Sequence, residues 1–289
     1  MIYDLLVAPF ADFEFMRRAL VGAIAIAIAG APVGVFLMLR RMSLTGDAMA
    51  HAILPGAALG YLVAGLSLPA MTAGGILAGI VVAILAGLVA RVTVLKEDAS
   101  LAAFYLISLA LGVTLVSLKG SNVDLLHVLF GTVLALDDGA LFLLASIATV
   151  TLGTLAVLYR PLVLECVDPI FLRSVSRAGG PTHLVFLGLV VLNLVGGFQA
   201  LGTLLAVGLM MLPAASSRFW SADVTVMIAA ATGIGIASGA CGLLLSYHAA
   251  LPAGPAIILV AGGAYLVSMA LGREGGLVWM ALPGKHLEA

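Results

Sequence analysis

The stretch ALVGAIAIAIAGAPVGVFLML, Ala19–Leu39, contains no charged side chain. A helix needs about 20 apolar residues to cross the roughly 30 Å hydrocarbon layer of a membrane, and this stretch is long enough. The rest of the chain has the same character: 63% of its 289 residues are apolar, 9% are charged, and the mean hydropathy is +1.24. A soluble domain carries about 25% charged residues. The sequence therefore predicts an integral membrane protein with almost no soluble part.

Eight further apolar spans follow the first one. Two lie in Thr45–Ala90, which breaks near Leu66–Pro69, and two lie in Pro181–Leu212, which hinges near Gly196-Gly197 and ends at Pro213. The other four are Ser100–Leu118, Gly139–Tyr159, Asp223–Ser246 and Pro252–Leu271. Together they predict an all-α, polytopic membrane helical bundle of about nine transmembrane helices in one domain over residues 1–289. Eight helices result if the pair in Pro181–Leu212 merges.

The few charges outside the spans indicate the orientation of the chain. With nine spans, ten of the thirteen basic residues fall on one side. They are Arg40, Arg41, Arg91, Lys96, Arg160, Arg173, Arg177, Arg218, Arg273 and Lys285. Because basic loops stay in the cytoplasm, the N-terminus is predicted outside and the C-terminus inside. The segments beyond the spans are then an interfacial N-terminal segment at 1–18, a cytoplasmic loop at 160–180 and a cytoplasmic tail at 273–289.

Two ionisable residues, Asp47 and His51, lie at membrane depth. Burying such a group costs at least about 2.5–3.5 kcal/mol, so it usually lines a pathway or has a partner. Residues four positions apart share one helix face, and a carboxylate with a neutral imidazole suits a divalent cation such as zinc or manganese. Two ligands leave the coordination shell half open, which suits a transport site that must release its ion. A hydrogen bond within the pair or between helices, or a proton relay, is the alternative.

A second polar cluster follows the fourth span and lies on the outer side in the predicted topology. Asp124 and His127 are three positions apart, so both could face an entering cation as candidate ligands. The alternative is an ordinary solvated loop.

The loop at 160–180 is the longest on the predicted inner side. Within it, Val167–Ser176 is predicted to form a short helix with Asp168 as its N-cap and Pro169 in its first turn. Phe171 lies on the apolar side of this helix. An amphipathic helix in this loop is a natural docking element for a cytosolic partner, and a helix lying on the surface is the alternative.

No catalytic motif accompanies these features. The sequence lacks a nucleophile elbow, a Gly-x4-Gly-Lys-Ser/Thr phosphate loop and a His-Glu-x-x-His pattern. We therefore expect no enzymatic activity, and an ATPase that drives transport would be another polypeptide. The net charge of -1 gives no electrostatic reason to expect a nucleic-acid partner.

The segment Gly34–Gly56, GVFLMLRRMSLTGDAMAHAILPG, resembles the signature of the permease subunits of bacterial metal-ion ABC importers, which take up zinc and manganese. Asp168-Pro169 and the residues after it resemble the coupling helix of that family. Gly202–Ala215 and Leu251–Leu259 resemble two later blocks of the same family. The resemblance extends over roughly residues 15–272, most of the chain.

This resemblance implies a vitamin-B12-importer-like type II ABC permease that forms a homodimer in the bacterial cytoplasmic (inner) membrane. It implies that Asp47 and His51 line the path of Zn²⁺ or Mn²⁺, with iron as a further candidate, and that no cofactor is permanently bound. The implied partners are a cytoplasmic ABC ATPase subunit, an extracytoplasmic metal-binding protein and membrane lipid. The loop at 160–180 becomes the coupling loop, whose ATPase-coupling residues are Asp168, Pro169, Phe171, Arg173, Ser174 and Val175.

The sequence thus favours ATP-driven import of a divalent transition metal by alternating access. An ion-coupled secondary metal transporter stays open as an alternative, with Asp47 and His51 as a proton and metal relay and without need of a docking helix. A membrane-embedded scaffold subunit is a third interpretation, and it would depend on close helix packing rather than on that pair. The glycine pairs predicted to allow such packing are Gly56/Gly60, Gly75/Gly79 and Gly235/Gly239.

Overall fold

The computed structural model of the chain describes residues 2–65, 67–94, 97–118, 136–168, 171–172 and 179–281. All regular structure in these residues is helical, because a helix satisfies its backbone hydrogen bonds internally in the absence of water. The helices are α1 (Ile2–Leu6), α2 (Ala8–Asp12), α3 (Glu14–Leu39), α4 (Ser43–Ala52), α5 (Leu54–Ala64), α6 (Leu68–Val92), α7 (Glu97–Leu118), α8 (Asp138–Val167), α9 (Gly179–Leu201), α10 (Thr203–Ser217), α11 (Val224–Ala249), α12 (Ala253–Leu271) and α13 (Leu277–Ala281).

The membrane-spanning character of the bundle is clear in the described residues. Seven helical segments there are long and apolar enough to cross a membrane: α3, α4 together with α5, α6, α8, α9, α11 and α12. Two shorter apolar helices, Ala99–Leu115 within α7 and Thr203–Ser217, complete the set. Each of the nine predicted spans coincides with one of these helices. The predicted all-α, polytopic bundle is therefore confirmed.

The predicted hinge near Gly196-Gly197 is wrong. Helix α9 continues through both glycines. An added Cβ at Gly196 would lie only 2.3 Å from a side chain of α8, and one at Gly197 only 2.5 Å from a side chain of α10. The break falls instead at Gly202, whose φ of +90° favours glycine. Pro213, predicted to end this run, lies inside α10, which continues to Ser217. The two glycines are thus needed for close packing rather than for a bend.

The predicted loop at 160–180 begins too early. Helix α8 continues through Arg160 and Pro161 to Val167. The buried side chains of Leu162 and Glu165 hold these last turns against the core. A proline inside a membrane helix is tolerated when neighbouring helices support the backbone. The connection between α8 and α9 therefore starts only at Asp168.

The predicted interfacial segment at 1–18 contains two short helices and the start of α3. Helix α3 begins at Glu14, and Glu14 Oε1 lies 2.8 Å from Arg18 Nη2 in an i,i+4 ion pair within this helix. Residues 2–12 form the two short helices α1 and α2, which expose Leu5 and Leu6. Exposed apolar side chains on short helices suit a position at the membrane surface.

Helices α3 and α9 form the centre of the bundle. In their most apolar stretches 72% and 67% of the residues are buried, against 22% in α8 and 28% in α6 and α12. The peripheral helices expose large apolar side chains such as Leu77, Val157 and Leu259. In a membrane these side chains face lipid or another chain.

The three predicted glycine pairs each face a neighbouring helix. Gly56 and Gly60 of α5 lie against the backbone of α6, and an added Cβ at Gly56 would lie 2.0 Å from a carbonyl oxygen of α6. The pair Gly75/Gly79 faces valine side chains of α9, and Gly235/Gly239 faces alanine Cβ atoms of α3. Small residues therefore set the helix spacing, as predicted.

The bundle has two ends, named here by the arginines that lie there. At the Arg40 end, α3 and α8 terminate and α4 and α9 begin, and Arg40 contacts Glu165 of α8. At the Arg18 end, near the start of α3 and α8, Arg18 Nη2 lies 3.0 Å from Asp138 Oδ1. The chain therefore passes repeatedly between these two ends.

Candidate metal site

Asp47 and His51 project from one face of α4, as their spacing predicts. Oδ1 of Asp47 lies 3.9 Å from Nε2 of His51, which is too long for a hydrogen bond. The side chain of Asp47 is 66% exposed and that of His51 is 26% exposed. The pair therefore opens onto the surface of this chain instead of closing on itself.

A cleft of about 190 Å³ lies beside this pair, between α4 and α7. The ring of His51 lies 6.2 Å from the ring of Tyr105 on α7, measured between centroids. The cleft therefore has a carboxylate on one side and an aromatic ring on the other. Its lining residues are Leu44, Thr45, Asp47, Ala48, Leu101, Ala102 and Tyr105.

Two buried polar atoms border this region. Within the described part of the chain, His51 Nδ1 and Thr45 Oγ1 have no hydrogen-bond partner. Most buried polar atoms in proteins are hydrogen-bonded, so such atoms require an explanation. The exposed Asp47 carboxylate beside them is able to bind a cation or its hydration water.

A break in the helix follows directly after His51. Helix α4 ends at Ala52 and α5 starts at Leu54, and Pro55 lacks the N–H group that would continue the ladder of hydrogen bonds. The buried hydroxyl of Ser108 on α7 donates a hydrogen bond of 2.8 Å to the Ala52 carbonyl oxygen. Ser108 thus anchors the end of the helix that carries His51. The sequence offered only a weak sign of this role, a serine within an apolar span.

We expect Ser108→Ala to lower the unfolding free energy by about 1 kcal/mol, because the buried Ala52 carbonyl loses its partner. Loosening of α4 at this point would also raise the metal concentration needed for half-maximal uptake. Thermal unfolding in detergent and uptake in vesicles measure the two effects. Ser146→Ala is a matched control, since Ser146 is half-buried and its hydroxyl donates a hydrogen bond to the Phe142 carbonyl of its own helix. Equal behaviour of the two variants would contradict the anchoring role.

The connection after α8 begins with the predicted capping contact. Asp168 Oδ1 accepts a hydrogen bond of 2.8 Å from the backbone N–H of Phe171. The Phe171 side chain is 51% exposed, whereas Leu172 is buried. An exposed phenylalanine next to an ordered turn suits contact with a partner.

Several candidate residues lie outside the described residues. They are Asp124, His127, Pro169, Arg173, Ser174 and Val175. Among the residues that the structure does describe, no group of three or more His, Cys, Asp or Glu side chains lies close enough together to hold a metal ion. The roles assigned to all these residues, including Asp47 and His51, stay predictions.

Sequence reasoning missed a buried charged cluster at the Arg40 end. Arg40 contacts Glu165 and His183, although these residues belong to three different helix ends. Side-chain exposures are 8% for Arg40, 6% for Glu165 and 12% for His183. The signal present in the sequence was an ionisable residue near one end of each of three apolar spans.

The helical bundle is similar to two solved structures. It matches a chain of PsaBC from Streptococcus pneumoniae, solved in complex with a Fab, with a TM-score of 0.85 and 28% identity over 97% of this chain and 99% of that chain. An inward-facing ABC transporter of the metal-chelate type matches with a TM-score of 0.69 and 16% identity over 87% and 84% of the two chains, a likeness of fold alone. The fold therefore defines the class as type II ABC importer permeases.

Residues 12–272 match the ABC 3 transport family. The chain is 32% identical over 257 residues to the manganese import system permease protein ScaB of Streptococcus parasanguinis, with 89% and 90% of the two chains covered. It is 28% identical over 282 residues to the manganese transport system membrane protein MntC of Halalkalibacterium halodurans, with 96% and 95% covered. The chain belongs to the ABC 3 transport family. The resemblance to permease subunits of metal-ion ABC importers is thereby confirmed.

Proposed function

We propose that this chain carries a divalent transition metal, manganese or zinc, through the membrane by alternating access driven by a separate ATPase subunit. The observation that carries this proposal is the Asp47–His51 pair on α4, which lies beside an open cleft. A carboxylate and an imidazole bind Mn²⁺ and Zn²⁺. The names of ScaB and MntC, both manganese permeases, favour manganese as the first candidate.

The pair needs further ligands, and we propose that a second copy of the chain supplies them. Two side chains complete no coordination shell of a first-row metal. The Asp47 side chain is 66% exposed, so it is accessible to a partner facing α4. A homodimer with the two α4 helices facing each other would provide two carboxylates and two imidazoles. The remaining positions would hold water, which allows the ion to be released.

The orientation follows from the basic residues. The positive-inside rule favours a cytoplasmic Arg40 end, with the N-terminus outside and the C-terminus inside. The ATPase subunit would then contact the exposed Phe171, whose backbone is held by Asp168. A metal-binding protein would deliver the ion at the Arg18 end, close to Asp124 and His127 in the predicted topology. The multi-pass chain would lie in a bacterial inner membrane.

Reconstitution tests this function. The permease, its ATPase subunit and its metal-binding protein are placed in proteoliposomes, and Mn²⁺ uptake is followed with and without ATP. We expect uptake that needs ATP and persists when ionophores collapse the proton and sodium gradients. Uptake that proceeds without ATP and stops with the ionophores would support the secondary transporter instead. A matched control uses an ATPase subunit with an inactivated nucleotide site.

Competition among metals tests the choice of substrate. With Mn²⁺ as the labelled ion, excess unlabelled Mn²⁺, Zn²⁺ or Fe²⁺ is added to the same vesicles. Because a given nitrogen–oxygen site generally binds Zn²⁺ more tightly than Mn²⁺, we expect unlabelled Zn²⁺ to inhibit at least as well as unlabelled Mn²⁺, so direct uptake of each labelled ion identifies the substrate. Strong competition by Zn²⁺ together with direct uptake of labelled Zn²⁺ would identify a zinc importer.

A further inference from the structure

Three helix ends meet in a buried charged cluster at the Arg40 end, here called the Arg40 cluster (Arg40, Glu165 and His183). Nη2 of Arg40 lies 2.9 Å from Oε1 of Glu165 and also contacts Nδ1 of His183. His183 Nδ1 lies 3.7 Å from the same carboxylate oxygen. The cluster thus connects the end of α3, the last turn of α8 and the first turns of α9.

An aromatic layer lies directly against the Arg40 cluster. The guanidinium carbon of Arg40 lies 4.9 Å from the centre of the Phe186 ring, a cation–π contact. Phe36 of α3 meets Phe186 of α9 and Tyr159 of α8 edge to face, with centroids 6.3 and 6.2 Å apart. The same three helices are therefore joined twice, by charges and by rings. Such packing makes the three ends move together.

The position of the Arg40 cluster along the chain is its most informative property. Glu165 lies one turn before Asp168, where the connection to α9 begins, and His183 lies one turn after that connection ends. Arg40 lies at the turn into α4, where Arg41 adopts a left-handed φ of +59°. The cluster therefore links both flanks of the predicted ATPase-contacting connection to the turn that leads into the Asp47–His51 helix.

The buried charge pair adds to this packing a contact that resists separation. Parting a buried arginine from its carboxylate leaves two unpaired charges in a medium of low dielectric constant. The direction of the contact also matters, because charge-assisted hydrogen bonds are short and oriented. We therefore expect a movement of the end of α8 to reach the α3–α4 turn.

The Arg40 cluster also has capacity for a second arrangement. Arg40 Nη1 and Glu165 Oε2 are buried and have no hydrogen-bond partner within the described residues. A cluster in which every atom was already paired would resist rearrangement. The hydrogen bond between Arg40 and Glu165 can therefore shift to these two atoms while both side chains stay buried.

We infer that the Arg40 cluster couples ATPase docking to α4, the helix that carries Asp47 and His51. Glu165 and His183 respond to docking at the connection between α8 and α9, and Arg40 positions α4. This inference rests on the proposed function. The three residues are positioning residues, since none of them contacts Asp47 or His51 in the described structure. Their loss is therefore expected to uncouple ATP hydrolysis from metal movement.

The test measures Mn²⁺ imported per ATP hydrolysed in proteoliposomes that contain the permease, its ATPase and its metal-binding protein. Glu165→Gln keeps the shape of the side chain and removes its charge. We expect the ratio to fall about tenfold, a typical size for coupling between distant sites. The unpaired Arg40 is expected to lower the amount of assembled complex, and basal ATP hydrolysis normalised to that amount should stay at the wild-type level. A purely structural role would lower the assembled amount and leave the ratio unchanged.

A double variant guards against misfolding of the single one. Arg40→Met with Glu165→Met replaces both charges by apolar side chains of similar length, an exchange that proteins often tolerate or favour. We expect it to be folded and to show the same low ratio. Glu165→Asp, which keeps the carboxylate, should recover most of the ratio. A wild-type ratio in the double variant would overturn the inference.

Asn193→Leu is the matched control. Nδ2 of Asn193 on α9 donates a 2.9 Å hydrogen bond to Thr151 on α8, so this variant breaks a polar contact between the same two helices. We expect its ratio to equal that of the wild type, and a loss as large as that of Glu165→Gln would overturn the inference.

If the wild type itself shows no ATP-dependent uptake, the proposed function fails. If the wild type imports Mn²⁺ and Glu165→Gln keeps its ratio, only this inference fails.

Discussion

Asp47→Ala and His51→Ala are each expected to reduce ATP-dependent Mn²⁺ uptake about 100-fold. This is the upper end of the roughly 10–100-fold cost seen when a metal ligand merely loses its supporting partner. Under the proposed function, each variant removes a whole ligand from a shell to which one chain contributes only two. The helix itself should be unaffected, because Asp47 is 66% exposed and its distance to His51 is 3.9 Å.

Two matched controls separate ligation from general damage. Asp12→Ala removes an exposed carboxylate at the end of α2. His248→Ala removes an exposed imidazole that lies 3.0 Å from the Leu5 carbonyl oxygen and packs against the Tyr247 ring. Both should transport at the wild-type rate. Asp47→Asn adds a further comparison, since it keeps the side-chain shape and loses the negative charge. Undiminished uptake by both Asp47→Ala and His51→Ala would exclude this pair from the metal path.

Gly56→Ala is expected to lower the unfolding free energy by about 3 kcal/mol, at the upper end of the usual cost of overpacking. A Cβ at Gly56 would lie 2.0 Å from the carbonyl oxygen of Gly74 on α6. That oxygen belongs to the backbone, so it cannot rotate away and the two helices must separate. The contact is reciprocal, because a Cβ at Gly74 would lie 2.1 Å from the Gly56 carbonyl oxygen. Gly74→Ala should therefore behave alike.

Gly87→Ala is the control for this packing effect, since Gly87 lies on α6 together with Gly74. A Cβ there meets no heavy atom within 4 Å. Alanine is favoured over glycine in a helix by about 1 kcal/mol, so this variant should be neutral or slightly more stable. Thermal unfolding in detergent, monitored as the loss of the monodisperse protein fraction, ranks the variants by stability. A Gly56→Ala protein as stable as Gly87→Ala would contradict the close approach of α5 and α6.

The spans were predictable because the signal for a membrane helix is local. A run such as Ala19–Leu39 must be helical in lipid whatever surrounds it, since unpaired backbone groups are too costly there. The ends of the helices were less predictable. Arg160 and Pro161 look like a loop in the sequence, yet the burial of Leu162 and Glu165 carries α8 past them to Val167.

Glycine is the residue whose meaning depended most on the tertiary structure. Gly196 and Gly197 suggested a hinge, but they lie inside α9 against α8 and α10. Gly202 takes the positive φ that ends this helix. The residue type is identical in all three positions. Only the neighbouring helices decide which glycine allows close packing and which one allows a turn.

Some parts of the candidate site were likewise predictable from the sequence, and other parts depended on the tertiary structure. The Asp47–His51 pair was found from spacing alone, because two residues four apart on a helix share a face. Ser108 and its bond to the Ala52 carbonyl join segments far apart in the sequence, as do the contacts of Arg40 with Glu165 and His183. No spacing rule connects such residues.

The sequence by itself determined that the chain is a helical membrane bundle, where most of its spans lie and that Asp47 and His51 share one face of a helix. Hydrophobic length and helical periodicity are local properties, so they are visible in a single chain. The tertiary structure alone decided which helix is central, where α8 and α9 end and which charges meet at the Arg40 end. These depend on contacts between distant segments, and only packing brings those segments together.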